Sequence, residues 1–89
     1  MNKTMLDILA CPIDKNYPLE LYEIKEKNNT ILEGVLFCPK CSRFYPIIEE
    51  IPIMLPDELR NKQQELEFLA NNKTSLPAKI INTANPWHL

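Results

Sequence analysis

Two turns of nearly the same sequence decide the fold of this chain: Cys11-Pro12-Ile13-Asp14 and Cys38-Pro39-Lys40-Cys41. Paired C-x-x-C turns separated by roughly 15–20 residues are the usual layout of a four-ligand zinc ribbon. The gap here, Lys15 to Phe37, is 23 residues, which leaves room for a β-hairpin. The proline after the first cysteine of each turn fixes φ and stiffens the backbone. We therefore predict a small zinc-ribbon-like fold built around the two turns.

The candidate metal ligands are the first and last residues of the two turns: Cys11, Asp14, Cys38 and Cys41. The first turn ends in an aspartate, whereas the second ends in a cysteine. Three thiolates and one carboxylate can hold zinc tetrahedrally, although the hard oxygen predicts a weaker site than four cysteines would form. In a second interpretation no metal binds, the cysteines are small buried hydrophobic residues, and Asp14 caps a turn. A redox pair of Cys38 and Cys41 is a third interpretation. The sequence leaves all three open.

The chain offers little for catalysis. A cysteine nucleophile usually needs a histidine partner, but the single histidine, His88, lies near the C-terminus, where we expect a surface residue and not a metal ligand. Glu49 and Glu50 are adjacent, so on a strand they would point to opposite faces, and we expect solvated turn charges and not an acid–base pair. No general base accompanies the two turns, which disfavours catalytic zinc. We predict no catalytic residue.

The remaining pattern predicts an α+β fold, a small antiparallel sheet of about four strands with an N-terminal and a C-terminal helix. The apolar phase changes within the first strand, which indicates a bulge, and Asn28 and Asn29 tolerate the positive φ of a hairpin turn. Thr4 followed by Asp7 is typical of a capping box, and Pro52 places the last strand at a sheet edge. The predicted strands span residues 19–26, 31–37, 43–48 and 51–55, and the predicted helices run from the Thr4 cap towards Pro12 and from Pro56 to Asn72.

We divide the chain into a zinc-ribbon-like domain, residues 1–72, and a C-terminal tail, residues 73–89. The tail shows no regular period, yet several of its side chains favour burial: Leu76, Ile80, Ile81, Trp87 and Leu89. Chain ends are usually disordered unless they are tied down. We therefore expect the tail to dock on its own domain or on a partner.

Composition argues against several function classes. The net charge of −2 and the pI of about 5.3 disfavour direct binding to nucleic acid, which a basic surplus would support. A loop that cradles phosphates or an adenosine cofactor usually needs several glycines, and this chain has only one, Gly34. No apolar run approaches the ~18 residues that span a bilayer, and the lipid-box-like stretch from Ile8 to Cys11 follows too short an apolar segment for a signal peptide. We expect a cytoplasmic protein that does not associate with a membrane and whose cysteines are reduced.

An apolar segment at the predicted sheet edge is the candidate partner surface. A free edge strand can accept a partner strand through main-chain hydrogen bonds. Ordinary core packing is the alternative for any one of these residues. The candidate partner-binding residues are Phe44, Ile51, Pro52, Ile53, Met54 and Leu55.

Five short stretches follow one another along the chain: M-L-D-I-L at residues 5–9, C-P-I-D at 11–14, E-G-V-L-F-C-P-K-C at 33–41, Y-P-I at 45–47 and I-P-I-M-L-P at 51–56. In this order they resemble the small methyltransferase-activating subunit, the zinc-ribbon-like partner of several tRNA, ribosomal-RNA and release-factor methyltransferases. The compact length resembles the archaeal and bacterial branches of that family. Asp14 departs from the family's four-cysteine pattern.

The resemblance implies a non-catalytic subunit that binds, stabilises and activates S-adenosylmethionine-dependent methyltransferases acting on tRNA and other translation components. Such a subunit forms a heterodimer with a class I catalytic subunit, extends its sheet by a strand, and meets RNA only through that partner. We expect no S-adenosylmethionine on this chain. The alternative is a zinc-ribbon module that contacts RNA directly, which the acidic pI and the presence of only two arginines, Arg43 and Arg60, disfavour.

Overall fold

The computed structural model describes all 89 residues and contains one four-stranded antiparallel sheet whose strands lie side by side in chain order. The strands are β1 (Glu20–Lys27), β2 (Thr30–Phe37), β3 (Phe44–Ile48) and β4 (Ile51–Pro52). The helices are α1 (Lys62–Asn71) and α2 (Ala78–Ile81), with 3-10 turns at Lys3–Asp7 and Asp57–Leu59. The predicted α+β fold is confirmed. None of the helices has the length and apolar character needed to cross a bilayer.

Both predicted helices begin differently from expectation. Asn2, and not Thr4, caps the first, because the Asn2 side chain accepts a hydrogen bond from the Thr4 N–H at 2.9 Å. The second is split, because Arg60 is extended and the Asn61 side chain accepts a hydrogen bond from the Gln64 N–H at 3.0 Å. An asparagine that bonds the N–H three residues on is a strong N-cap. The α-helix therefore starts after this asparagine and not at the preceding proline.

The first hairpin carries the predicted bulge and turn. The register between β1 and β2 shifts on both sides of Lys25, in agreement with the change of apolar phase in the sequence. Asn28 and Asn29 adopt φ values of 52° and 66°, the left-handed conformation that asparagine tolerates. The return strand brings Phe37 opposite Glu20, so the residues before β1 lie beside those that follow β2.

The last strand is at the sheet edge, as predicted, but it is shorter than predicted. Glu49 and Glu50 form an exposed tight turn with φ values of 50° and 72°, which makes them solvated turn charges. β4 ends at Pro52, because the next position faces Pro46, which has no N–H to donate to the ladder. The Ile53 N–H still donates to the Pro46 carbonyl at 2.9 Å. No further strand lies beyond β4.

Each face of the sheet is covered by its own apolar cluster. Successive strand residues point to opposite faces, so Phe44 and Tyr45 of β3 belong to different clusters. The tail-face cluster consists of Val35, Phe37, Phe44, Phe68, Leu69, Leu76, Ile80, Ile81 and Ala84. The turn-face cluster consists of Met1, Cys11, Leu19, Ile31, Leu36, Cys38, Tyr45 and Ile47.

The C-terminal tail packs on the sheet of its own chain. Lys79 of α2 forms an ion pair with Glu20 of β1 at 2.7 Å, and its ammonium lies 4.8 Å from the centre of the Phe37 ring. Residues 73–89 therefore share a core with residues 1–72 on this face. The tail's buried side chains are Leu76, Ile80, Ile81 and Ala84.

A buried ion pair joins three elements beside the tail-face cluster. Arg60 Nη2 lies 2.6 Å from Glu65 Oε1, and these side chains are 0% and 2% exposed. The same guanidinium donates to the Phe44 carbonyl at 2.6 Å. Its central carbon lies 4.9 Å, 5.1 Å and 5.7 Å from the ring centres of Phe44, Tyr45 and Trp87. In such surroundings each charge depends on the other for its stability.

We predict that Gly34→Ala destabilises the sheet. A Cβ atom at Gly34 would lie 2.7 Å from the backbone oxygen of Tyr22 and 3.3 Å from Ile31 Cγ2, so β1 and β2 would have to separate. Overpacking of this kind costs roughly 1–3 kcal/mol, which urea denaturation will measure. The control is Asn29→Gly, a glycine substitution in left-handed backbone, which should leave stability within about 0.5 kcal/mol. An unchanged denaturation midpoint for Gly34→Ala would show that the hairpin accommodates the methyl group.

Candidate functional site

The four predicted metal ligands lie together in the structure. Candidate donor atoms of Cys11, Asp14, Cys38 and Cys41 all lie within 4.8 Å of one another. The first hairpin causes this, because the turn before β1 and the turn after β2 are brought to the same end of the sheet. His88 is not part of the group; its Nδ1 lies 3.0 Å from the Ala84 carbonyl oxygen.

The spacing of the donor atoms fits a tetrahedral zinc ion. The sulfurs of Cys11 and Cys41 are 3.7 Å apart, and the Cys38 sulfur lies 3.6 Å from each Asp14 carboxylate oxygen. For bonds of about 2.3 Å to sulfur and 2.0–2.2 Å to oxygen, tetrahedral ligand atoms lie roughly 3.5–3.8 Å apart. Zinc accepts both atom types. These donor pairs already have the required spacing, and all four side chains lie close enough for small shifts to complete a tetrahedral site.

The two turns have the same backbone construction. In the first, the Lys15 N–H donates to the Cys11 carbonyl at 2.8 Å; in the second, the Ser42 N–H donates to the Cys38 carbonyl at 2.9 Å. Lys15 and Ser42 both adopt a φ of 61°. The likeness of the two sequences therefore extends to a likeness of local structure.

The electrostatics of the two buried thiols differ. Burial alone would raise the pKa of Cys11, yet its pKa lies below the ordinary value, because the Tyr45 hydroxyl and the N–H groups of Asp14 and Ile13 stabilise the thiolate. Burial raises the pKa of Cys38 to about 12. A cation would favour the thiolate at both positions, since metal binding requires deprotonated sulfur.

Asp14 is oriented by its own turn. The Asn16 N–H donates to Asp14 Oδ1 at 2.9 Å, and this bond is the largest influence that holds the pKa of Asp14 below its usual range. The carboxylate is therefore charged at neutral pH and available to a cation. The same bond is the turn cap that the metal-free interpretation assigns to this residue.

Tyr45 is a site residue that the sequence reasoning missed. Its hydroxyl lies 3.1 Å from the Cys11 sulfur, and it is fully buried in the turn-face cluster. Burial, followed by the neighbouring thiol, raises the pKa of Tyr45 far above its usual value, so the hydroxyl keeps its proton and can donate to the sulfur. A tyrosine two residues before Ile47 on the same strand face is the one signal that could have indicated a position facing the turns.

The candidate partner surface divides into exposed and buried residues. Ile51 is 62% exposed and Leu55 is 39% exposed, while Pro52, Ile53 and Met54 are half-buried. Met54 also packs against the turn-face cluster. The inclusion of Phe44 was wrong, because its side chain is fully buried in the tail-face cluster. For the other five residues, partner binding stays a prediction.

Leu59, in the turn after β4, is a further exposed apolar residue that was not predicted. It is 66% exposed and follows the Asp57 carboxylate, which Arg43 holds with hydrogen bonds of 3.0 Å from Nε and 2.8 Å from Nη2. Arg43 also holds the pKa of Asp57 below its usual range. This ion pair fixes the path of the chain after β4.

Both arginines are occupied by carboxylates. Arg43 pairs with Asp57, and Arg60 pairs with Glu65 in the interior. Arginine is the residue most suited to bidentate contact with phosphate, and here neither guanidinium is free for that role. The structure thus adds nothing in favour of direct RNA binding.

A small antiparallel sheet with two Cys-Pro turns converging at one end defines a zinc-ribbon-like protein. The chain belongs to the Trm112p-like protein family, whose family model matches residues 2–50. This confirms the family resemblance found in the sequence.

Three relatives are matched over nearly their whole length. A UPF0434 protein of Methylobacillus flagellatus is 42% identical over 67 residues, which cover 75% of this chain and 97% of the relative. A UPF0434 protein of Nitrosococcus oceani is 34% identical over 68 residues, covering 76% of this chain and 100% of the relative. A chain from the complex between the Haloferax volcanii Trm112 methyltransferase activator and a candidate methyltransferase is 37% identical, with a TM-score of 0.64, covering 67% of this chain and 100% of that chain.

Proposed function

We propose that this chain is a non-catalytic cytoplasmic subunit that binds, stabilises and activates class I S-adenosylmethionine-dependent methyltransferases. The observation that carries the proposal is the likeness to a chain from a complex of a methyltransferase activator with a candidate methyltransferase. Membership of the Trm112p-like family supports the same role. We further propose that the catalytic partners act on tRNA and other translation components, and that RNA meets this chain only through them.

The position of the single glycine supports a division of labour between the two subunits. Gly34 lies inside β2, where its missing side chain permits the close approach of the Tyr22 carbonyl. Glycine in a cofactor site serves instead in a tight loop next to the phosphates. We therefore assign S-adenosylmethionine and the transfer chemistry to the catalytic subunit and no catalytic residue to this chain.

We propose that Cys11, Asp14, Cys38 and Cys41 bind one structural zinc ion. Four protein ligands close the coordination sphere, as in structural sites, and leave no open position for a substrate. When bound, the ion supplies a cross-link between the turn before β1 and the turn after β2. The donor spacing and the N–H groups directed at the Cys11 sulfur support this assignment.

We propose that the free edge of β4 and the apolar residues after it form the partner surface. No strand is hydrogen-bonded to the outer side of β4, so a strand of the catalytic subunit can add there by main-chain hydrogen bonds. The exposed side chains of Ile51, Leu55 and Leu59 would be buried by such a strand. Half-buried Ile53 and Pro52 complete the surface.

We predict that Ile51→Lys separates the two subunits while this chain stays folded. Burial of an isoleucine side chain is worth roughly 1.5–3 kcal/mol, so the affinity should fall by roughly ten- to a hundredfold. The measurement is a titration of the purified chain against the methyltransferase that a tagged chain captures from its native cytoplasm, with circular dichroism as the check on folding. The matched control is Ile8→Lys, because Ile8 is 78% exposed on the first 3-10 turn's C-cap and lies outside the proposed surface.

The control also defines the contrary result. If Ile8→Lys weakens the complex and Ile51→Lys does not, the partner binds at the N-terminal turn and the β4 surface is misassigned. If the tagged chain captures no methyltransferase, the activator role itself is overturned.

A further inference from the structure

One residue of the C-terminal tail is bonded to the second metal-binding turn. Asn85 Nδ2 donates to the Cys41 carbonyl at 2.9 Å, and the Asn85 N–H donates to the Ser42 carbonyl at 2.8 Å. The Asn85 carbonyl accepts a bond from the Phe44 N–H at 3.0 Å. Asn85 also forms a parallel bridge with Arg43. A single tail residue therefore holds the backbone of residues 41–44.

The first metal-binding turn has no such clamp. It is closed by bonds within itself, from the Lys15 N–H to the Cys11 carbonyl, from the Cys11 N–H to the Asn16 carbonyl and from the Asn16 N–H to Asp14. Lys15 in the first turn and Ser42 in the second both have a φ of 61°, a left-handed conformation that is unfavourable for residues with a side chain, but only Ser42 is bonded by the tail. Left-handed backbone persists where the surrounding structure holds it, and here the tail contributes to holding it.

The tail is anchored independently of the turn. Its apolar side chains lie in the tail-face cluster, as described above, and the ring of Trp87 lies over Arg60. The relatives whose whole length is matched cover only 67–76% of this chain, and the family model ends at residue 50. The family model does not reach Asn85, so the clamp is inferred from the contacts of this chain alone.

We propose that Asn85 is a positioning residue for the metal site, so that docking of the tail and binding of zinc strengthen each other. The proposal rests on the zinc site proposed above. The tail's hydrogen bonds hold the carbonyl groups of Cys41 and Ser42, and this fixes the direction in which the Cys41 sulfur faces Cys11. By thermodynamic reciprocity, a metal ion that orders the turn must also favour the docked tail.

The test compares two asparagines of the same segment in the full chain. Asn85→Ala removes the side-chain bond to Cys41, and Asn82→Ala is the control, since Asn82 at the end of α2 is exposed like Asn85 but its side chain does not bond to the turn. Zinc affinity is measured by competition with a chromophoric chelator, and thermal unfolding is measured with and without zinc. We expect Asn85→Ala to bind zinc roughly three- to tenfold more weakly, as loss of one neutral hydrogen bond predicts, and to gain less from added zinc. Asn82→Ala should match the unaltered chain.

The reciprocal arm uses the unaltered chain and so does not depend on a variant that folds. Removal of zinc should raise amide hydrogen exchange across residues 76–89 and shift the emission of Trp87, the only tryptophan. Equal zinc affinity in Asn85→Ala and Asn82→Ala, with tail exchange unaffected by zinc, would overturn the coupling. An Asn85→Ala chain that is less stable but retains full zinc affinity would also overturn it. Failure of the unaltered chain to bind zinc would remove both the metal site and this inference.

Discussion

A Cys38→Ser variant is expected to lose zinc and, with it, most of the stability of the fold. Structural zinc contributes an apparent binding free energy of about 10–16 kcal/mol near neutral pH, whereas a domain of this size is stable by only about 5–15 kcal/mol. The Cys38 sulfur is fully buried and faces the Asp14 carboxylate at 3.6 Å, so no solvent ligand can replace it easily. Elemental analysis and thermal unfolding measured by circular dichroism will test this.

Two substitutions at Asp14 provide the comparison for Cys38→Ser. Asp14→Ala should weaken zinc binding less than Cys38→Ser, because water can take the place of one oxygen ligand. Asp14→Cys should tighten it, because thiolates are the softer ligands that zinc sites favour. Affinity in every variant should fall as the pH is lowered, since protons compete for the thiolates. Protein prepared without chelator and found free of zinc would leave the metal-free turn as the correct interpretation.

Glu65→Gln is expected to cost this small protein roughly 3–5 kcal/mol. The substitution leaves the Arg60 guanidinium charged and buried against the rings of Phe44, Tyr45 and Trp87 without its counter-ion. Urea denaturation followed by tryptophan fluorescence measures the loss.

The control lies two residues further along the same helix. Glu67→Gln makes the same chemical change at an exposed position and should alter stability by less than about 0.5 kcal/mol. The double variant Arg60→Met/Glu65→Met should be more stable than Glu65→Gln, because apolar side chains can replace a buried pair at little cost. Equal stability of Glu65→Gln and Glu67→Gln would show that water reaches the arginine.

The local elements of the fold could be predicted from the sequence because their signals are local. The Asn28-Asn29 turn and the edge position of Pro52 each follow from one residue type and its backbone preference. The bulge in β1 follows from the change of apolar phase along the strand. The helix starts were wrong where two signals competed: Asn2 and Asn61 accept capping bonds, and both were overlooked in favour of neighbouring signals.

Features that depend on the tertiary arrangement could not be predicted. The spacing of the two turns indicated all four candidate metal ligands, because each turn is a contiguous motif. Tyr45 meets Cys11 across 34 positions, and Asn85 meets Cys41 across 44, so no contiguous motif marks either contact. Phe44 was assigned to the partner surface because it is apolar and near Ile51 in sequence, but the alternation of a strand turns it to the covered face.

The two borders of the sheet are unlike, and this limits how the chain can assemble. At the border opposite β4, β1 has the sequence E-L-Y-E-I-K-E-K and is interrupted by the bulge at Lys25. Charged residues and bulges discourage the pairing of edge strands. Lys3 also forms ion pairs with Glu23 and Glu26 of β1. A sheet that can grow at both borders polymerises, whereas one that can grow only at β4 ends after a single addition. Complexes formed through β4 should therefore contain one copy of each subunit.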